Sequence, residues 1–126
     1  MRETKAKERI KPDYLALKNE VYKNYRQGAL RRGHAFDISK EDFFLLMTRK
    51  CTYCGQEPSM SFKGTKRKIM DISQFLYNGV DRVDNGRGYE KDNCVSCCKI
   101  CNNSKKDLSV TAWFDWIRRI SKYKKL

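Results

Sequence analysis

Six cysteines constrain this 126-residue chain more than any other feature. They fall in two places: CTYC, Cys51 to Cys54, and CVSCCKIC, Cys94 to Cys101, where four thiols form two back-to-back C-x-x-C pairs. A tight C-x-x-C turn presents two sulfurs to one ion, and two such turns from distant parts of a chain make a tetrahedral zinc site. Cys51 and Cys54 are the candidates for the first pair. Spacing does not choose between Cys94 with Cys97 and Cys98 with Cys101 for the second. Adjacent Cys97 and Cys98 point in different directions in any regular backbone, so one pair binds and the other packs as small apolar side chains. A redox pair at Cys51 and Cys54 is the competing reading, but no βαβ pattern surrounds them.

A chain this short builds one small core, and joining two distant turns through zinc contributes on the order of 10 kcal/mol to its folding. The net charge of +13, from 28 Lys and Arg against 15 Asp and Glu, favours a polyanion, and the abundant aromatic residues add stacking surface. The charged N-terminus does not read as a signal peptide, and no apolar run approaches a membrane span, so the expected setting is a reducing, bacterial or phage-infected cytoplasm.

Residues 1–11 read as a flexible, charged N-terminus and residues 12–126 as a single domain. Within it residues 12–50 read as helical, 51–107 as a zinc-bound centre with a basic insertion at 57–78, and 108–126 as a C-terminal helix. Residues 12–32 carry Tyr14, Leu17, Val21, Tyr25 and Leu30 at helical spacing, with Pro12 suited to the first turn and Gly33 as the stop. SKEDFFLLM predicts a second helix capped by Ser39, with Phe43, Phe44 and Met47 facing inward. GVDRV reads as a short strand and DNGRG as a turn using the positive φ angles that Asn-Gly favours. Residues 99–107 suit a short helix. In the last helix Thr111 is the expected cap, and Trp113, Trp116, Ile117 and Ile120 form a stripe expected to pack into the core.

CTYCG followed by NGVDRVDNGRGYEKDNCVSCCKICNNSKKD resembles the HNH, or ββα-metal, endonucleases. Their pattern is C-x-x-C, an Asp-His strand, a loop, an Asn, and a closing C-x-x-C-N-x-x-K. More narrowly the sequence is similar to the PacI-type branch, common in phage genomes, which carries Asp-Arg in place of Asp-His. The likeness spans residues 33–107 and is tightest over 79–105.

The resemblance implies an α+β fold, a small zinc-stapled ββα-metal (HNH/His-Me finger) core with flanking N-terminal and C-terminal helices. It implies that Cys98 and Cys101 complete a structural zinc site with Cys51 and Cys54, while Cys94 and Cys97 occupy apolar positions. Asp81 and Asn102 match the ligands of a separate catalytic ion, Mg²⁺ or Mn²⁺, and such hard ions prefer oxygen donors. Asn93 matches the asparagine that braces the strand, and Lys105 is placed to meet a phosphate.

Arg82 stands where the wider family has a histidine base; it is suited to bind the scissile phosphate and stabilise its transition-state charge. The base expected instead is His34, the sole histidine, in the Gly-His-Ala that the branch shares; Tyr53 is a fainter candidate for relay or phosphate contact. The implied activity is metal-dependent hydrolysis of double-stranded DNA, with Arg31, Arg32, Lys63, Lys66, Arg67, Lys68, Arg87, Lys105 and Lys106 on the DNA. A symmetric target would imply a homodimer. A non-catalytic zinc module binding DNA or RNA is the alternative, and it would bind without cutting.

Overall fold

In the computed structural model, which describes residues 14–61 and 75–126, helix α1 (Leu15–Arg31) buries Leu17, Val21, Gly28 and Ala29. Their spacing sets them on one face. The helix therefore begins three residues later than the sequence suggests, after Tyr14 at φ 57°, and Pro12 lies outside the described residues. Its end is where the pattern places it. Gly33 adopts φ 76°, the His34 N–H reaches the Ala29 carbonyl at 2.8 Å, and the Gly33 N–H reaches that of Leu30 at 3.1 Å. This is a Schellman cap, and it makes His34 the first residue directed by something other than the helix.

Helix α2 (Lys40–Met47) is capped by Ser39, whose Oγ accepts from the Asp42 N–H at 3.1 Å. Phe43 and Met47 are buried, while Phe44 is only half-buried. Tyr22 meets Phe36 and Phe43 edge-on at 5.2 and 5.3 Å. These rings, with Leu17, Val21, Val80 and Cys94, form the larger of two cores.

Strands β1 (Met60–Ser61) and β2 (Leu76–Tyr77) pair antiparallel at the base of the basic insertion. Strand β3 (Gly79–Arg82) then pairs antiparallel with β4 (Cys94–Cys97), in a register that sets Asp81 opposite Val95 and Arg82 opposite Cys94. The connection between them bends at Asp84–Arg87, but not as expected. Neither Asn85 nor Gly86 takes a positive φ. The turn is held instead by the Arg87 N–H on the Asp84 carbonyl (3.1 Å) and the Gly86 N–H on the Asp84 carboxylate (2.9 Å). A side-chain acceptor thus does the work that unusual backbone angles do in a two-residue hairpin.

Helix α3 (Lys99–Lys105) follows β4 directly and completes the ββα unit. Helix α4 (Val110–Lys124) is capped by Ser109, two residues before the expected Thr111. Only its first turn is anchored. Trp113 is buried and Phe114 half-buried, but Trp116, Ile117 and Ile120 are each about two-fifths exposed, so the stripe is not the core face that its spacing suggests. Helical spacing identifies an apolar face without saying whether the body of the protein reaches it.

Candidate active site

The knuckle from Cys51 to Gly55 closes through the Gly55 N–H on the Cys51 carbonyl (2.9 Å), with Gly55 at φ 80°. The Thr52 N–H bonds the Ser96 carbonyl at 2.8 Å, which fastens the knuckle to β4 two residues before the second cysteine pair. As a result the ligand atoms of Cys51, Cys54, Cys98 and Cys101 all lie within 4.8 Å of one another, and the Cys54 and Cys98 sulfurs are 3.6 Å apart. Thiolates about 2.3 Å from a tetrahedral zinc sit ~3.8 Å from each other, so the donor set and its spacing fit that ion. Burial opposes ionisation of Cys51, but N–H groups of Cys98, Cys54 and Tyr53 outweigh it and bring the thiol down to about 7.

Cys94 and Cys97 are not among these four ligands, although Cys97 packs beside them in the smaller core. Cys94 packs in the larger core and Cys97 donates its thiol to the Cys98 carbonyl at 3.4 Å. Burial pushes both thiols up, that of Cys94 to about 12, so they persist as neutral, apolar-like groups.

Asp81 lies one strand away, almost fully buried. Its Oδ2 accepts the Tyr53 hydroxyl at 2.7 Å and pairs with the Lys105 ammonium at 3.2 Å. Lys105 is wholly buried and also donates to the Arg82 carbonyl at 3.3 Å. The lysine expected on a phosphate is therefore turned inward, against the carboxylate. Burial, then the Asp81 carboxylate, raises the Tyr53 pKa above the ordinary range, so its hydroxyl remains a donor and is no base. Its ring meets Trp113 edge-on at 5.1 Å, which links the zinc core to the carboxylate. With Oδ2 doubly engaged, Oδ1 is the oxygen free of partners among the described residues.

Arg82 and His34, 48 residues apart, meet at 3.1 Å between Nη2 and Nε2. A guanidinium only donates, so Nε2 accepts and the imidazole proton resides on Nδ1. Burial, then the charges of Arg82 and Arg32, lowers the His34 pKa below its usual 6.5. The contact depends on Gly88: a Cβ there would lie 2.6 Å from the Ala35 carbonyl oxygen. That close approach lets the Tyr89 N–H bond the Ala35 carbonyl and the Asp37 N–H bond the Tyr89 carbonyl, both at 2.8 Å, so the segment after α1 runs beside the strand connection. Nη1 of Arg82 also donates to the carbonyls of Asn85 (3.0 Å) and Arg87 (2.7 Å).

Asn93, buried, spans the same connection: Oδ1 accepts from the Asp84 N–H (2.9 Å) and Nδ2 donates to the carbonyls of Asp84 and Gly88 (3.1 and 2.9 Å). Asp81, Arg82 and Asn102 line a cavity of about 700 Å³, together with Arg31, Arg32 and Lys106. The half-buried Asn102 amide makes no hydrogen bond with another described residue.

No protein-family model matches the chain. Among curated proteins, it is 31% identical over 110 residues to an uncharacterized protein of Acanthamoeba polyphaga mimivirus, covering 87% of this chain and 18% of that protein. It is 30% identical over 98 residues to YoqL of Bacillus subtilis, an SPbeta prophage-derived protein named as an HNH endonuclease, covering 74% of this chain and 40% of YoqL. Its fold matches that of the rare-cutting HNH restriction endonuclease PacI, with a TM-score of 0.58 and 26% identity, over 84% of this chain and 78% of PacI. In fold and in sequence the chain is similar to HNH endonucleases. It spans less than half the length of both curated relatives.

In this HNH-like chain the expected basic residues divide. Arg31, Arg32 and Lys106 face the cleft, whereas Arg87 is held by Glu90 and by Asp92, the latter at 2.6 Å, and Lys105 is buried. Lys63, Lys66, Arg67 and Lys68 lie outside the described residues. Asn85 is the site residue that sequence reading missed. Its carbonyl holds Arg82 and its Nδ2 reaches the carbonyls of Asp107 and Leu108 (2.8 and 3.2 Å), a long-range role that an Asn-Gly turn signal conceals.

Proposed function

We propose that the chain is a divalent-metal-dependent endonuclease acting on double-stranded DNA. The observation that carries this reading is the convergence of Asp81 and Asn102 on one cleft edged by Arg31, Arg32, Arg82 and Lys106. A partner-free carboxylate oxygen and a free amide are hard donors that leave room for other ligands, which fits Mg²⁺ or Mn²⁺. When bound, such an ion supplies Lewis-acid charge at the scissile phosphate and the departing 3′ oxygen.

The protein's own groups do the rest. Tyr53 and Lys105 hold Asp81 in one orientation. Arg82 binds a phosphate oxygen and stabilises the charge that grows there. Turning toward that phosphate frees the His34 Nε2 lone pair, which then takes the proton of the attacking water. Substrate binding and release of the base are thereby one event, and the ends produced are 5′-phosphate and 3′-hydroxyl.

Supercoiled plasmid incubated with Mg²⁺, Mn²⁺ or EDTA should become nicked or linear only with the ion present. His34→Ala should slow this by ~100-fold or more; an unchanged rate would remove His34 from the mechanism. Because the imidazole pKa is lowered, its neutral form dominates at pH 7, and the rate should decline only as pH falls below histidine's usual 6.5. One observation favours a second reading, a module that binds DNA without cutting: the base candidate's lone pair is taken up by Arg82. Salt-sensitive binding with no nicking under any ion would support it.

A further inference from the structure

Three non-glycine residues among those described have positive φ. Tyr14 (φ 57°, ψ 29°) and Lys125 (φ 59°, ψ 47°) sit at helix ends in the left-handed basin. Lys106 is different. Its φ of 47° and ψ of −120° place it far outside that basin, in the conformation of the first central residue of a type II′ turn, where glycine dominates. The turn is closed: the Leu108 N–H bonds the Lys105 carbonyl at 2.9 Å. A side chain at such a position is strained, and strain of this kind persists where the surroundings enforce it and function uses it.

The surroundings here are specific. Asn85 Nδ2 clamps the turn through the Asp107 and Leu108 carbonyls, while its own carbonyl holds Arg82 at 3.0 Å. The turn that carries Lys106 is therefore tied to the residue that fixes the Arg82 guanidinium. The two neighbouring lysines are also turned to opposite purposes. Lys105 is buried on Asp81, whereas Lys106 is exposed, lines the cleft and has no hydrogen-bond or ion-pair partner for its amine among the described residues.

We infer that Lys106 is the lysine of this segment that contacts a DNA phosphate, and that the strained turn exists to place its ammonium in the cleft at a fixed relation to Arg82. The inference rests on the proposed nuclease reading for the identity of the anion. Its structural half stands independently, since a glycine at 106 would relax the turn whatever the ligand.

The test uses the full zinc-loaded chain, a labelled DNA duplex without Mg²⁺, and the variants Lys106→Gly, Lys106→Ala and Lys106→Arg. Lys106→Gly should raise the melting temperature by about 3 °C. In the same variant the slope of log affinity against log salt should shrink by about one, with binding about tenfold weaker at 0.1 M salt for every duplex tried. Lys106→Ala should show the binding loss without the thermal gain, and Lys106→Arg should behave as the unaltered chain. A glycine variant with an unchanged salt slope, or with no thermal gain, overturns the inference. Absence of salt-dependent binding in the unaltered chain would overturn the phosphate contact together with the nuclease reading, and it is told apart by appearing without any substitution.

Discussion

Cys98→Ser is expected to lose zinc and, with it, the fold, while Cys94→Ser keeps both. A structural zinc contributes on the order of 10 kcal/mol, which matches the whole stability of an ordinary domain at roughly 5–15 kcal/mol. In this chain the ion would join the knuckle after α2 to the start of α3, and Trp113, Tyr53 and Phe114 pack on that junction rather than on the larger core. Removing one ligand therefore dissolves the smaller core and frees α4. Cys94 is buried in the other core and has no part in the cluster, so its replacement costs only local packing. Metal analysis and circular dichroism on the two variants read the difference; equal zinc loss in both would show that the ligand set is wrong.

Asp81→Asn should abolish cleavage and also destabilise the protein, by about 3–5 kcal/mol, because it strips the anion from a wholly buried lysine. Lys105→Met should destabilise for the converse reason. The combination is the informative case. Replacing both members leaves no uncompensated charge, so Asp81→Asn with Lys105→Met should recover most of the stability while cleavage stays absent. Urea midpoints beside plasmid nicking separate the two effects. If the double variant is as unstable as the sum of the single ones, the ion pair is not what holds Lys105 in place.

How much of this was legible beforehand depends on the scale of the cause. The Schellman stop at Gly33, the Ser39 cap and the β3 strand are set by a few neighbouring residues, and each lies where its local signal places it. The choice of Cys98 and Cys101 over Cys94 and Cys97 was not a matter of spacing; it needed the family pattern, and the geometry agrees with it. The direction of Lys105 was illegible, because which side of α3 faces Asp81 is decided by how that helix lies on β3 and β4. Arg87 carried the same basic signal as Lys106, yet Glu90 and Asp92 claim it. The Gly88 approach to Ala35, which delivers His34, joins stretches that no local pattern connects.

That approach divides the machinery in an unusual way. The stretch bounded by the cysteine cluster carries Tyr53, Asp81 and Arg82, with Asn102 next to its last cysteine, but the His34 imidazole arrives from outside it, just beyond the end of α1. On the proposed nuclease reading, change at the border between the two, around Gly88, would separate strand-holding from strand-cutting while leaving the cysteine cluster, Asp81 and Asn102 untouched.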